Sequence, residues 1–317
     1  MLKSFFSKSL MGSALLMGLV GISSPSTADD RPLVVATTDI LCDLTEQIAQ
    51  ETVNLQCLVN AGVDPHVYQP TPDDRRAIDA ADLVLYAGYN FEPSLIKLVD
   101  ATSNSAPKVA VNELAVPQPL MGSAHDHEAE ETVPDPHVWH DPKNGIAMVN
   151  VIAQELENLQ PDFAQKYQEN ANFINAEITQ IESWIAGQIA TIPPEKRKLV
   201  TTHDALGYYV NAYELEFEGA LSGLSTDESP TAARVGELIT EVKESNVPTI
   251  FAETSVNPKL IETVAREANV KVSERELYAD GLGEKGADGD SYQKMLIANT
   301  QTIVEGLGGS FTEFQAE

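Results

Sequence analysis

The chain is poor in cations. It carries 20 Lys and Arg against 48 Asp and Glu, a formal charge of −28 over 317 residues. Phosphate binding needs a basic face, so nucleic acid is excluded as a partner. Cysteine is almost absent: Cys42 and Cys57 are the only two, and no C-x-x-C occurs. They are read either as a disulfide formed in an oxidising compartment or as two buried thiols. Beyond the first two dozen residues no run is apolar enough to span a bilayer, which excludes membrane insertion of the mature chain. There is no P-loop, H-E-x-x-H or G-x-S-x-G. One G-x-G-x-x-G match, Gly281 to Gly286, lies late in the chain beside Glu284, Asp288 and Asp290, which would repel a pyrophosphate. Histidine is also scarce, with six in all.

The N-terminus reads as a secretory signal over 1–28. Lys3 and Lys8 form a basic start, LMGSALLMGLVGI from Leu10 forms a short apolar stretch, and Ser26-Thr27-Ala28 approximates a cleavage site. No lipobox cysteine stands there, so the expectation is a free periplasmic protein.

The remainder looks like two related halves. PLVVATTDILCDLTEQIA from Pro32 and KLVTTHDALGYYVNAYE from Lys198 share the order strand, polar turn, helix. DLVLYAGYNFEPSLIKLV from Asp82 and PTIFAETSVNPKLIETV from Pro248 repeat a second strand, loop and helix. The expected fold is α/β, with two lobes of mainly parallel sheet flanked by helices. Residues 29–160 form the first lobe and 193–317 the second. Between them 161–192 reads as one long helix ended by Pro193-Pro194, with Phe163, Tyr167, Phe173, Ile174, Ile178, Ile181, Trp184 and Ile185 mostly at helical spacing. At about 45 Å it is long enough to bridge the lobes. GSAHDHEAEETVPDP from Gly122 reads as an acidic surface loop.

Two of the six histidines fall in a repeated tetrapeptide. Asp64-Pro65-His66-Val67 and Asp135-Pro136-His137-Val138 each set an imidazole behind a proline, which stiffens the loop. His203, in VTTHDALGYY, follows a strand at the end where α/β folds bind ligands. Asp280, in LYADGLGEKG, follows another short apolar run. Three imidazoles and one carboxylate, two from each half, make a ligand set for a divalent transition metal held between the lobes. His140 lies three residues past His137 and is read as a bystander. His125 and His127, in the acidic loop, are read as solvated or as transient metal contacts.

GVDPHVYQPTPDD, PDPHVWHDPKNG, VTTHDALGYY, IFAETSVNP and LYADGLGEKGADGDSYQKML together resemble the cluster A-I, or cluster 9, metal-binding proteins of ABC importers. The resemblance covers nearly the whole mature chain. It implies two α/β lobes joined by a rigid helix, and delivery of the metal to a permease and its ATPase. By motif it assigns His66, His137, His203 and Asp280 as ligands, and places Glu253 beside the site as support. Members of this kind carry manganese or zinc; iron stands behind both. The protein is expected to be a monomer and not an enzyme, with limited closure because the linker is stiff. The competing readings are a zinc-dependent hydrolase and a metal buffer or adhesin without a transporter.

Overall fold

In the computed structural model of the chain, residues 30–123 and 132–316 are described. The signal sequence read over 1–28, and His125 and His127, lie outside them. The residues from Arg31 onward form one compact unit.

The first half opens with β1 (Leu33–Ala36), α1 (Asp39–Ala49) and β2 (Asn54–Cys57), followed by α2 (Pro72–Ala80), β3 (Leu83–Tyr86), α3 (Pro93–Ala101) and β4 (Lys108–Ala110). These strands form a parallel sheet in the order β2-β1-β3-β4. Side chains alternate across it, so Val34, Ala36, Leu83 and Leu85 enter the main core while Val35 and Val84 meet Ile78, Leu95 and Val99 on the opposite face. Both faces are therefore covered by helices. The helix starts follow their sequence signals. Thr71 and Asp74 make a reciprocal capping box on α2 with Pro72 inside the first turn. Cys42 of α1 is bonded to Cys57 of β2, with Cα atoms 5.7 Å apart, which settles the open question about the two cysteines.

After α4 (Val111–Ala115), β5 (Met121–Ser123) pairs antiparallel with β6 (Thr132–Pro134). The ends of the acidic segment are thus a β-ribbon rather than plain loop. Then come α5 (Pro142–Leu159) and α6 (Ala164–Ile189).

The second half repeats the first. It contains β7 (Lys198–His203), α7 (Gly207–Tyr213), β8 (Glu216–Ser222), α8 (Ala232–Ser245), β9 (Thr249–Ile250), α9 (Lys259–Ala268), β10 (Lys271–Val272) and α10 (Tyr292–Gly306). β7 pairs parallel with β8, and β9 with β10. The Phe251 amide donates to the Val200 carbonyl at 3.0 Å and joins the two pairs. The resulting order, β8-β7-β9-β10, matches β2-β1-β3-β4 strand for strand. Val200 packs on α8 and α9 through Leu238, Val242, Ile261 and Val264.

The long helix is shorter than the sequence implies. Pro161–Phe163 forms a separate 3-10 turn, in which the Phe163 amide donates to the Gln160 carbonyl three residues back at 3.0 Å. At the other end the amides of Thr191 and Ile192 bond three residues back, so the chain tightens before Pro193. Ile174, Ile178, Ile181 and Ile185 form its buried stripe, whereas Phe173 is 73% exposed and does not belong to it. The helix packs against α1 and α5 of the first half and α10 of the second. Tyr167 bonds Thr52 at 2.7 Å, and Glu177 accepts from Gln293 at 3.0 Å.

Gly145, near the start of α5, lets the Tyr292 ring come close: a Cβ there would meet the tyrosine hydroxyl at 2.0 Å. Tyr292 is fully buried and donates to the Trp139 carbonyl at 2.7 Å. Gly145→Ala is expected to cost about 1–3 kcal/mol through this overpacking. Thermal denaturation checks it; an unchanged melting temperature would mean Tyr292 yields freely.

Candidate metal centre

His66 lies in the loop after β2, His137 ahead of the turn into α5, His203 at the last residue of β7, and Asp280 in the loop that follows β10. His66 and His203 stand at the carboxyl ends of parallel strands, the place where α/β folds bind ligands. One ligand atom from each of the four lies within 4.8 Å of the others. The four side chains are buried, with exposure between 0% and 4%. His66 Nε2 and His137 Nε2 are 3.4 Å apart. Asp280 Oδ1 lies 3.0 Å from His203 Nε2, 3.4 Å from His137 Nε2 and 3.6 Å from His66 Nε2. Such a set of nitrogen and oxygen atoms can hold a divalent transition metal.

The repeated tetrapeptide has a local physical cause. In each copy the aspartate carboxylate accepts the backbone N–H of the histidine two residues on, at 2.9 Å. This Asx turn and the intervening proline fix the histidine backbone twice over. The copies then diverge. Asp135 Oδ1 also accepts from the His137 ring Nδ1 at 2.8 Å, which leaves Nε2 free for a metal. Asp64 instead accepts the Thr226 hydroxyl at 2.6 Å, a bond from the first half to the second.

His203 is held by Glu253, as the motif resemblance implied. Glu253 Oε1 accepts the amides of Thr202 and His203 at 2.9 and 3.0 Å, and its Oε2 lies 2.5 Å from His203 Nδ1. Backbone and ring are therefore positioned by one buried carboxylate. Asp280 Oδ2 accepts from Ser255 at 3.1 Å.

The electrostatics match a cation site. Burial alone would depress the His203 ring, but the charges of Asp280 and Glu253 outweigh it and lift the pKa well above 6.5. His137 is also raised: burial opposes it, and the bonds to Asp135 and Asp280 prevail. Burial would push Asp280 up, yet the His203 charge and bonds from all three rings hold it well below the usual carboxylate range.

His140 is outside the cluster, as read from sequence, but it is not idle. It is wholly buried, and its Nε2 donates to the Ala279 carbonyl at 2.8 Å. Burial drives its pKa down to about 3, so the ring is neutral. Sequence reasoning also missed Phe91, whose ring meets those of His66, His137 and Trp139 edge-on at 4.9, 5.6 and 4.8 Å. Its motif, NFEP, carries a helix start but no cue to an aromatic wall. Asp39 and Asp43 were missed too. They accept the amides of Leu282 and Tyr292 at 2.7 and 2.9 Å across more than two hundred residues of sequence. A cavity of about 410 Å³ lined by Thr202, Ser222, Thr226 and Val256 reaches His203 from the second half. Among the described residues no helix is long and apolar enough to cross a membrane.

Comparison with known proteins places the chain in a family. Residues 34–306 match the family model for ZnuA, the periplasmic zinc-uptake complex component A. The chain is 31% identical over 304 residues to the manganese ABC transporter substrate-binding lipoprotein ScaA of Streptococcus gordonii, covering 92% of this chain and 96% of that one. It is 32% identical over 302 residues to the manganese-binding lipoprotein MntA of Bacillus subtilis, covering 94% and 97%. The solved structure of the periplasmic zinc-binding protein TroA from Treponema pallidum superposes with a TM-score of 0.81 at 32% identity, over 87% of this chain and 99% of that one. With a fold in two matched halves, a buried three-histidine, one-aspartate cluster between them, and this likeness along nearly its whole length, the chain belongs to the periplasmic zinc-uptake component A family.

Proposed function

We propose that the protein is the extracytoplasmic metal-binding component of an ABC importer. It captures manganese or zinc at His66, His137, His203 and Asp280 and passes the ion to a membrane permease powered by its ATPase. The observation that carries this reading is the convergence of three imidazole nitrogens and one carboxylate oxygen within 4.8 Å. The outer carboxylates Asp135 and Glu253 support it, because a metal-bound imidazole needs its far nitrogen held. Three imidazoles suit zinc, and the named manganese-binding relatives keep manganese equally in view, ahead of iron.

Four protein donors complete a tetrahedral set, whereas a catalytic zinc keeps a position for water; this favours a carrier over an enzyme. One chain supplies all four donors, which favours a monomer. The lobes are 29–160 and 193–317, with 161–192 as the connecting segment. Export by the 1–28 signal delivers a soluble periplasmic protein. The disulfide fits an oxidising compartment and engages both cysteines.

Isothermal titration of the metal-free protein with zinc and with manganese is expected to give one site per chain. His203→Ala should weaken it by more than the roughly 10–100-fold typical of losing an outer partner; equal affinity would remove His203 from the site.

Affinity should also fall on acidification. His203 and His137 have raised pKa values, so below those values a proton occupies the nitrogen the metal needs. The loss therefore starts above pH 6.5, the ordinary imidazole value, and deepens as pH falls. Titrations at stepped pH, with proton release measured in two buffers, test this; flat affinity from pH 8 to about 6 would contradict it.

A further inference from the structure

Asp280 belongs by sequence to the second half, but its loop is gripped by the first. The His140 ring donates to the Ala279 carbonyl at 2.8 Å, immediately before the ligand. Asp39 accepts the Leu282 amide at 2.7 Å, two residues after it. Further on, Asp43 accepts the Tyr292 amide at 2.9 Å, and the Tyr292 hydroxyl donates to the Trp139 carbonyl at 2.7 Å. Gly281 is required for this approach, since a Cβ there would meet Asp39 Oδ2 at 2.6 Å.

Within this grip His140 stands out. Its Nδ1 is buried and has no hydrogen-bond partner among the described residues. A residue kept only for packing next to Trp139 would be better served by an apolar side chain, which leaves no polar atom unpaired. Among the described residues, the one hydrogen bond that the ring makes goes to the peptide that carries Asp280. That peptide's orientation fixes where the carboxylate lies relative to His66, His137 and His203.

We propose that His140 is a positioning residue for metal capture, fixing the Ala279–Asp280 peptide from the opposite half so that the carboxylate is preset against the three imidazoles. This rests on the metal-carrier reading above. It contacts no ion; it acts through Asp280. Losing the bond frees the carboxylate to drift, which raises the release rate and lowers affinity without dismantling the fold.

The test uses the full chain carrying His140→Leu or His140→Gln. Leucine fills the space without a donor; glutamine places an N–H near the position of Nε2. Zinc and manganese affinities, and release rates into a chelator, are measured beside the melting temperature of the metal-free protein. His140→Leu is expected to bind about 10–100-fold more weakly, with metal-free melting unchanged or higher. His140→Gln is expected to restore most of the affinity. Unchanged affinity in His140→Leu overturns the proposal. So does a loss shared equally by both variants together with lower metal-free melting, which would assign His140 to packing. Should His140→Leu not fold, His140→Met against His140→Gln makes the same comparison. If the wild-type protein binds neither ion, the carrier reading itself fails; normal wild-type binding with indifferent variants sinks only the role of His140.

Discussion

The Asp280 carboxylate has been taken out of water and set among the rings of three histidines drawn from three separate segments. A buried ion costs several kcal/mol unless opposite charge and hydrogen bonds compensate it. Here the compensation comes from the charge on His203 and from hydrogen bonds of all three rings, so His203 is lifted well above the usual imidazole range and Asp280 is held well below the usual carboxylate range. On the proposed carrier role, a bound dication would take over that compensation around the same carboxylate. One step further out, Asp135 and Glu253 hold Nδ1 of His137 and His203 at 2.8 and 2.5 Å.

The four residues of that centre come from both halves of the chain. Each half builds parallel strands in the same order, those of the second half joined through the Phe251 to Val200 bond. The symmetry is not carried into the ligand set. The first half gives two histidines on proline-stiffened turns; the second gives a histidine at a strand end and an aspartate in a loop. The two Asp-Pro-His turns share a backbone bond yet use their aspartates differently. One orients a ligand ring, while the other reaches across to Thr226. A repeated sequence thus encodes a repeated turn, and the divergence comes from what each aspartate meets in three dimensions.

This division explains what could be read from sequence. Alternating strand and helix patterns, the Thr71 cap and the two proline-fixed histidines are local signals, and each appears where its residues imply. His66 and His137 drew attention because a scarce residue type recurs in a matched tetrapeptide, whereas His203 and Asp280 were read from their places after apolar runs and from the motif resemblance. Contacts that close the site were not. The bonds from Asp39 to Leu282 and from His140 to Ala279 join positions distant in sequence, and no local pattern marks either partner. The long helix shows the same limit at smaller scale. Its apolar period was clear, but period alone did not separate the buried isoleucines from exposed Phe173, nor reveal that Pro161 begins a separate turn.

The helix also bears on how such a site releases an ion. A tether touching the halves only at its ends would let them rotate freely. α6 instead buries isoleucines along its length, against α1 and α5 on one side and α10 on the other. Near its start Tyr167 is bonded to Thr52, and toward its end the Trp184 ring N–H donates to the Thr312 carbonyl at 3.0 Å. Rotating one half against the other would strip those contacts together, and packed interiors resist such continuous deformation. Smaller movements cost less. The loop carrying His66 leaves Val63 and Val67 exposed at 42% and 44%, and it is linked to the second half by the Asp64 to Thr226 bond. Asp280 is braced from both halves, by Ser255 on its own side and through its peptide by His140 on the other. Both loops are therefore tied across the halves, the His66 loop through Asp64 and Thr226 and the Asp280 loop through His140 and Asp39.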